Sequence, residues 1–138
     1  MKKKSCIILN SVSEKIILKN KKIKTNKKIV FGFVGQLHES KGIKKLVLCF
    51  KKYCKDKNIE LRIFSPFPEF KIKNLLLNFF KIRKDFYFFY KSEELHKYSN
   101  IRFMGYETNL NKLYKNMDVL VFPNEDYAIG RPVFESAF

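Results

Sequence analysis

Asp118-Val-Leu-Val-Phe-Pro-Asn-Glu-Asp-Tyr-Ala-Ile-Gly-Arg-Pro-Val-Phe-Glu135 decides how the chain is read, because an apolar strand runs through a polar loop into a Gly-x-Pro that opens a helix. Open α/β sheets hold phosphate-bearing ligands in this way, beyond the carboxyl ends of their strands. First-turn N–H groups of a helix lack intrahelical partners, and the helix dipole adds partial positive charge there. Gly130 permits close backbone approach, Pro132 suits the first helical position, and Glu135 falls about one turn inside.

Upstream, Ile29-Val-Phe-Gly-Phe-Val-Gly35 is a β-branched and aromatic run of the kind buried on both faces in a parallel sheet. A helix is expected next. Ile43, Leu46, Val47, Phe50, Tyr53 and Cys54 recur at helical spacing, with Lys44, Lys45, Lys51 and Lys52 on the other side. Residues 61–64 read as a second strand closed by Ser65-Pro-Phe-Pro68, and 70–82 as a helix with Leu75, Leu76, Phe79 and Phe80 inward. Phe86-Tyr-Phe-Phe-Tyr90 fits either a strand or a buried helix. Residues 101–104 read as a short strand, 109–117 as a short helix with Leu110, Leu113 and Tyr114 inward, and 119–122 as a strand. This alternation predicts a Rossmann-like, doubly wound parallel α/β sheet in residues 29–138. Residues 1–28, with ten lysines and one glutamate, read as a basic linker or arm with short apolar runs at 6–9 and 16–18.

The chain has 138 residues, enough for one core and too few for a two-domain enzyme. Its net charge of +16 raises the question of a polyanionic partner. Lys, Asn, Ile, Phe and Tyr are abundant together while Trp is absent, which a coding bias toward A and T explains without such a partner. Nucleic acid is therefore not the expected partner, and a basic module binding nucleic acid or an anionic membrane without catalysis is the alternative reading. Cys6, Cys49 and Cys54 make no disulfide framework, and His38 and His96 stand without metal-ligand spacing, so no metal is expected. No apolar run reaches the roughly 20 residues of a membrane span. The expected location is the cytoplasm, with peripheral contact at the inner face of the membrane compatible with the basic charge.

Gly35-Gln-Leu-His-Glu-Ser-Lys-Gly42 lies between the first strand and its helix, where Lys41 can act as a point charge toward a diphosphate. Neither a Walker loop nor a Gly-x-Gly-x-x-Gly fingerprint occurs. The order and spacing of several blocks resemble the C-terminal, donor-binding domain of a GT-B glycosyltransferase of the group 1 type (family 4). Cys6-Ile-Ile-Leu-Asn-Ser-Val12 is similar to that family's interdomain "I-P-N-G-V", and Phe33-Val-Gly-Gln-Leu-His-Glu-Ser-Lys-Gly-Ile43 to its "V-G-R-L-x-x-x-K-G-I". Ile101-Arg-Phe-Met-Gly105 is similar to "V-x-F-x-G", and Leu113-Tyr114 with Asp118-Val-Leu-Val-Phe-Pro-Asn124 to "L-Y-x-x-x-D-V-x-V-x-P-S". Ile129-Gly-Arg-Pro-Val-Phe-Glu-Ser-Ala-Phe138 is similar to "F-G-x-P-V-x-E-A-M".

The resemblance implies transfer of a sugar from a nucleoside diphosphate sugar to an acceptor hydroxyl with retention, the donor being a substrate and no cofactor or metal being required. It implies a donor site at Gly35, Gln36, Lys41, Tyr127, Ile129, Gly130, Arg131, Pro132 and Glu135. Glu135 is implied to accept hydrogen bonds from the ribose hydroxyls, and Lys41 to bind the diphosphate with backbone amides at Gly130 and Arg131. The chain departs from the pattern at Gln36, where the family has Arg, and at Tyr127, where the family has the glutamate that holds the sugar. The matched blocks begin at the interdomain strand and stop just after Glu135. The expectation is an incomplete C-terminal half of a GT-B fold, a fragment or degenerate remnant inactive alone; in its enzyme version a separate polypeptide supplies the acceptor domain. Its open sheet edge is expected to invite self-association.

Overall fold

Strand β1 (Ile29–Val34) occupies the interior of the sheet because its side chains are apolar on both faces, and its partners follow from that. It pairs in parallel with β2 (Ile59–Phe64) along its whole length, from Ile29 opposite Ile59 to Val34 opposite Phe64. On its other side it pairs in parallel with β4 (Val119–Leu120), and β3 (Ile101–Phe103) extends the sheet beyond β2. The strand order is β3-β2-β1-β4. The computed structural model describes residues 28–55, 58–67, 86–125, 127 and 129–137; the readings of 1–27 and 70–82 fall outside them. The helices are α1 (Ile43–Tyr53), α2 (Phe86–Ser92), α3 (Leu110–Lys115) and α4 (Arg131–Glu135). Parallel strands joined through helices make this a Rossmann-like α/β sheet, with β4 at an edge among the described residues.

Two apolar layers hold it. On one face, Phe33, Leu61, Ile63 and Ile101 pack against Ile43, Leu46, Val47 and Phe50 of α1 and Phe86 of α2. On the other, Val30 and Phe64 meet Leu113, Tyr114 and Met117. The helical stripe of α1 therefore points as its spacing predicts, except at Tyr53, which is 69% exposed. As the last residue of α1, Tyr53 leaves the sheet, and the Lys52 ammonium lies 5.0 Å from its ring centroid.

The aromatic run that fits either element is helical, as α2. Tertiary contacts select the helix: Phe86, Phe89 and Tyr90, three and four residues apart, form one aromatic cluster on a helical face. Phe86 and Tyr90 meet Phe103 of β3 with ring centroids 6.1 and 5.2 Å away. The strand expected at 119–122 is shorter than the pattern suggested. Val121 N–H still donates to Gly32 O at 2.8 Å, but Pro123 has no N–H to continue the ladder. At its start β4 is pinned instead by Asp118, whose N–H donates to Val30 O at 2.7 Å and whose carboxylate accepts from Val30 N–H at 2.9 Å.

Glu60, the second residue of β2, is the one charged residue that is buried in a described strand, at 2% exposure. Lys28 at 2.9 Å and Arg62 at 2.7 Å pair with its two oxygens, and Arg102 stands 3.7 Å away. Burial pushes the Glu60 carboxyl up, but the hydrogen bonds and charges of Arg62 and Lys28 outweigh burial and hold it below the usual carboxylate range. A lowered folded value means that the stabilisation is complete above the unfolded value of about 4.3 and is lost as pH falls through the folded one. Melting temperatures taken down to about pH 3 are therefore expected to fall more steeply in the parent than in Glu60→Gln. Parallel curves for the two proteins would contradict this assignment.

Among the described residues no helix is long and apolar enough to cross a membrane.

Candidate functional site

Strand order reverses direction at β1: β2 and β3 lie on one side of it and β4 on the other. In doubly wound sheets such a reversal of strand order is where ligands bind, beyond the carboxyl ends of the strands. The sequence places its two glycine-bearing loops there, residues 35–42 after β1 and 121–130 after β4.

The two loops are fastened to each other. The β1 loop forms a 3-10 turn at Glu39–Lys41, capped at its start by His38 Nδ1, which accepts from Ser40 N–H at 3.3 Å. Gly42 ends the turn at φ 65°, a left-handed conformation that glycine adopts without a Cβ penalty. There the backbone lies against the other loop so closely that a Cβ on Gly42 would stand 1.9 Å from the Pro123 carbonyl oxygen. Beside this contact Glu125 N–H donates to Ser40 O at 2.8 Å, Lys41 Nζ donates to Asn124 Oδ1 at 3.2 Å, and Lys45 pairs with Glu125 at 2.8 Å. Lys41 is half-buried and is held at the junction of the loops.

Gly130 precedes α4, and its lack of a side chain makes room for protein rather than leaving open space: a Cβ there would lie 2.5 Å from the Phe122 ring. Arg131 is the first helical residue and Pro132 the second, one position later than the sequence reading, and the N–H that proline lacks is still one the first turn leaves unpaired. Glu135 closes this five-residue helix and is 6% exposed. Its Oε2 accepts from the Tyr114 hydroxyl of α3 at 2.7 Å, and its Oε1 pairs with Arg131 at 3.3 Å. Burial, then the hydrogen bond and charge of Glu135, push the Tyr114 phenol well up, so it stays a donor.

The remaining positions are more open. Gln36, Tyr127 and Ile129 are exposed, Tyr127 completely, and Gly35 donates its N–H to Phe64 O at 3.3 Å at the end of β2. Lys41 is thus brought to the second loop, and Glu135 to α3. The partners that the sequence did not reveal are Asn124 for Lys41 and Tyr114 for Glu135. Asn124 is a single polar residue after a strand, and Tyr114 reads as core. Neither carries a local signal of its partner. Among the described residues no three His, Cys, Asp or Glu side chains gather as metal ligands.

Residues 14–137 match the model of the family described as glycosyl transferases group 1. No curated protein matches the chain.

Proposed function

The chain belongs to the group 1 glycosyl transferases, and from that premise we propose that the crevice beyond β1 and β4 binds a nucleoside diphosphate sugar for transfer to an acceptor hydroxyl. Lys41 faces the diphosphate, Gln36 adds a neutral donor beside it, and Glu135 accepts hydrogen bonds from the ribose hydroxyls. Each carboxylate oxygen has two lone pairs, so the bonds to Tyr114 and Arg131 leave acceptor capacity on both. Tyr127 and Ile129 lie on the sugar side, where an exposed phenol offers a hydroxyl in place of a carboxylate.

The observation that carries this reading is the fastening of the two loops at the reversal point of the sheet, with Lys41 held at their junction. A cation fixed by an amide oxygen costs less ordering when it meets an anion than a free lysine on a flexible stem. Donor binding is the part of the reaction that the described residues support.

A thermal-shift titration with UDP, GDP, ADP and inorganic pyrophosphate tests the proposal. One nucleoside diphosphate is expected to stabilise the chain more than pyrophosphate does, its own effect being about 2.7 kcal/mol over the unliganded chain at a concentration 100 times its Kd. An equal response to every polyanion would favour the basic-module reading, in which charge alone drives binding. No response to any of the four would overturn donor binding by this chain.

A further inference from the structure

We infer that Tyr114 is the positioning residue of Glu135, fixing which carboxylate oxygen is presented to the ribose hydroxyls. The inference rests on the donor-site reading and goes one step beyond it. Tyr114 is 4% exposed and Glu135 6%, so their hydrogen bond lies inside the protein, between helices whose residues stand 21 positions apart. A buried carboxylate without a partner is strongly disfavoured, and here the inner partner is a phenol that burial keeps protonated.

The two partners of Glu135 differ in what they can fix. Arg131 is 69% exposed at its side chain, and an ion pair in solvent is weak and readily exchanged. The Tyr114 ring is locked in the core with Val30, Phe64, Leu113 and Met117, and its hydroxyl also reaches the Pro132 carbonyl at 3.5 Å. The one phenol proton goes to the nearer acceptor, Glu135 Oε2 at 2.7 Å, so Tyr114 holds the last residue of α4. A helix of five residues has little stability of its own, so its orientation depends on contacts of this kind. With Oε2 anchored inward on Tyr114, Oε1 points to the solvent side, where Arg131 now meets it. A ribose hydroxyl would approach that same oxygen.

A purely structural tyrosine would stabilise the fold without affecting ribose recognition. The test is the ratio of the Kd for a 2′,3′-dideoxynucleoside diphosphate to the Kd for its ribose counterpart, measured with the UDP, GDP and ADP pairs by calorimetry on the full chain. Glu135→Gln is expected to lower the ratio toward one. Tyr114→Phe is expected to lower it about tenfold while leaving pyrophosphate affinity unchanged. If Tyr114→Phe does not melt cooperatively, Tyr114→Met refills the space with a flexible apolar side chain and carries the same expectation.

A parental ratio in the Tyr114 variants, with a reduced one in Glu135→Gln, would overturn the inference and leave the donor site standing. A parental ratio in Glu135→Gln, or no binding of any of the three nucleotides to the parent, would overturn both.

Discussion

Gly42→Ala is expected to destabilise the protein by about 3 kcal/mol, the sum of a left-handed backbone forced on a residue with a Cβ and of overpacking at a filled site. Position 42 sits at φ 65°, and the new Cβ would meet the Pro123 carbonyl oxygen at 1.9 Å. A backbone oxygen cannot rotate away as the end of a side chain can, so one of the two loops has to move. That movement separates Ser40 from Glu125 and Lys41 from Asn124, which are bonded across the same junction. A drop in melting temperature on the order of 10 °C is expected by calorimetry. Gly105→Ala is the internal control, since Gly105 also has positive φ, at 78°, but nothing within 4 Å of its Cβ position. Only the conformational part, about 1 kcal/mol, should appear there. Equal losses at the two positions would mean that the contact with Pro123 contributes nothing.

The fold was legible where one periodicity ruled a whole segment. The β-branched run of β1 and the apolar stripe of α1 each needed only local spacing, and parallel pairing followed from the alternation of strands with helices around a β1 that is apolar on both faces. It was not legible where tertiary contacts decide. Five consecutive aromatics satisfy period 2 and period 3.6 alike, and only the position of Phe103 makes Phe86 and Tyr90 members of one helical face. The length of β4 is a similar case. Its apolar pattern runs on to Phe122, yet pairing stops because Pro123 has no N–H to give and the chain turns toward Gly42.

The site divides along the same line. Loops after strands, glycines at their ends, and a lysine beside one of them are local features, so Gly35, Lys41 and Gly130 could be singled out from sequence. What each group touches is not local. Lys41 and Asn124 are 83 residues apart, and Tyr114 and Glu135 lie on different helices, 21 residues apart. At Gly130 the sequence reading gave one physical reason for a glycine and the fold gives another: the space that its missing side chain leaves is filled by Phe122.

Lys41→Ala is expected to weaken UDP, GDP or ADP, whichever binds, and inorganic pyrophosphate by the same factor, about 10- to 100-fold, as for the loss of a charge-assisted hydrogen bond. The equality is the informative part, because Lys41 is assigned to the diphosphate, which all four probes carry. Glu135→Gln should show the opposite pattern, with pyrophosphate unaffected and the nucleotide weakened, since its carboxylate is proposed to meet the ribose. Lys41 starts from a defined place, 3.2 Å from Asn124 Oδ1. Asn124→Ala should therefore follow Lys41→Ala in direction with a smaller loss, because the charge remains and only its placement is relaxed. The residual affinity of Lys41→Ala should also depend less on salt, one cation having been removed from the proposed anion site. Parental pyrophosphate affinity in Lys41→Ala would place the anion away from the β1 loop. The fastening of that loop to Pro123, Asn124 and Glu125 would then serve the fold alone.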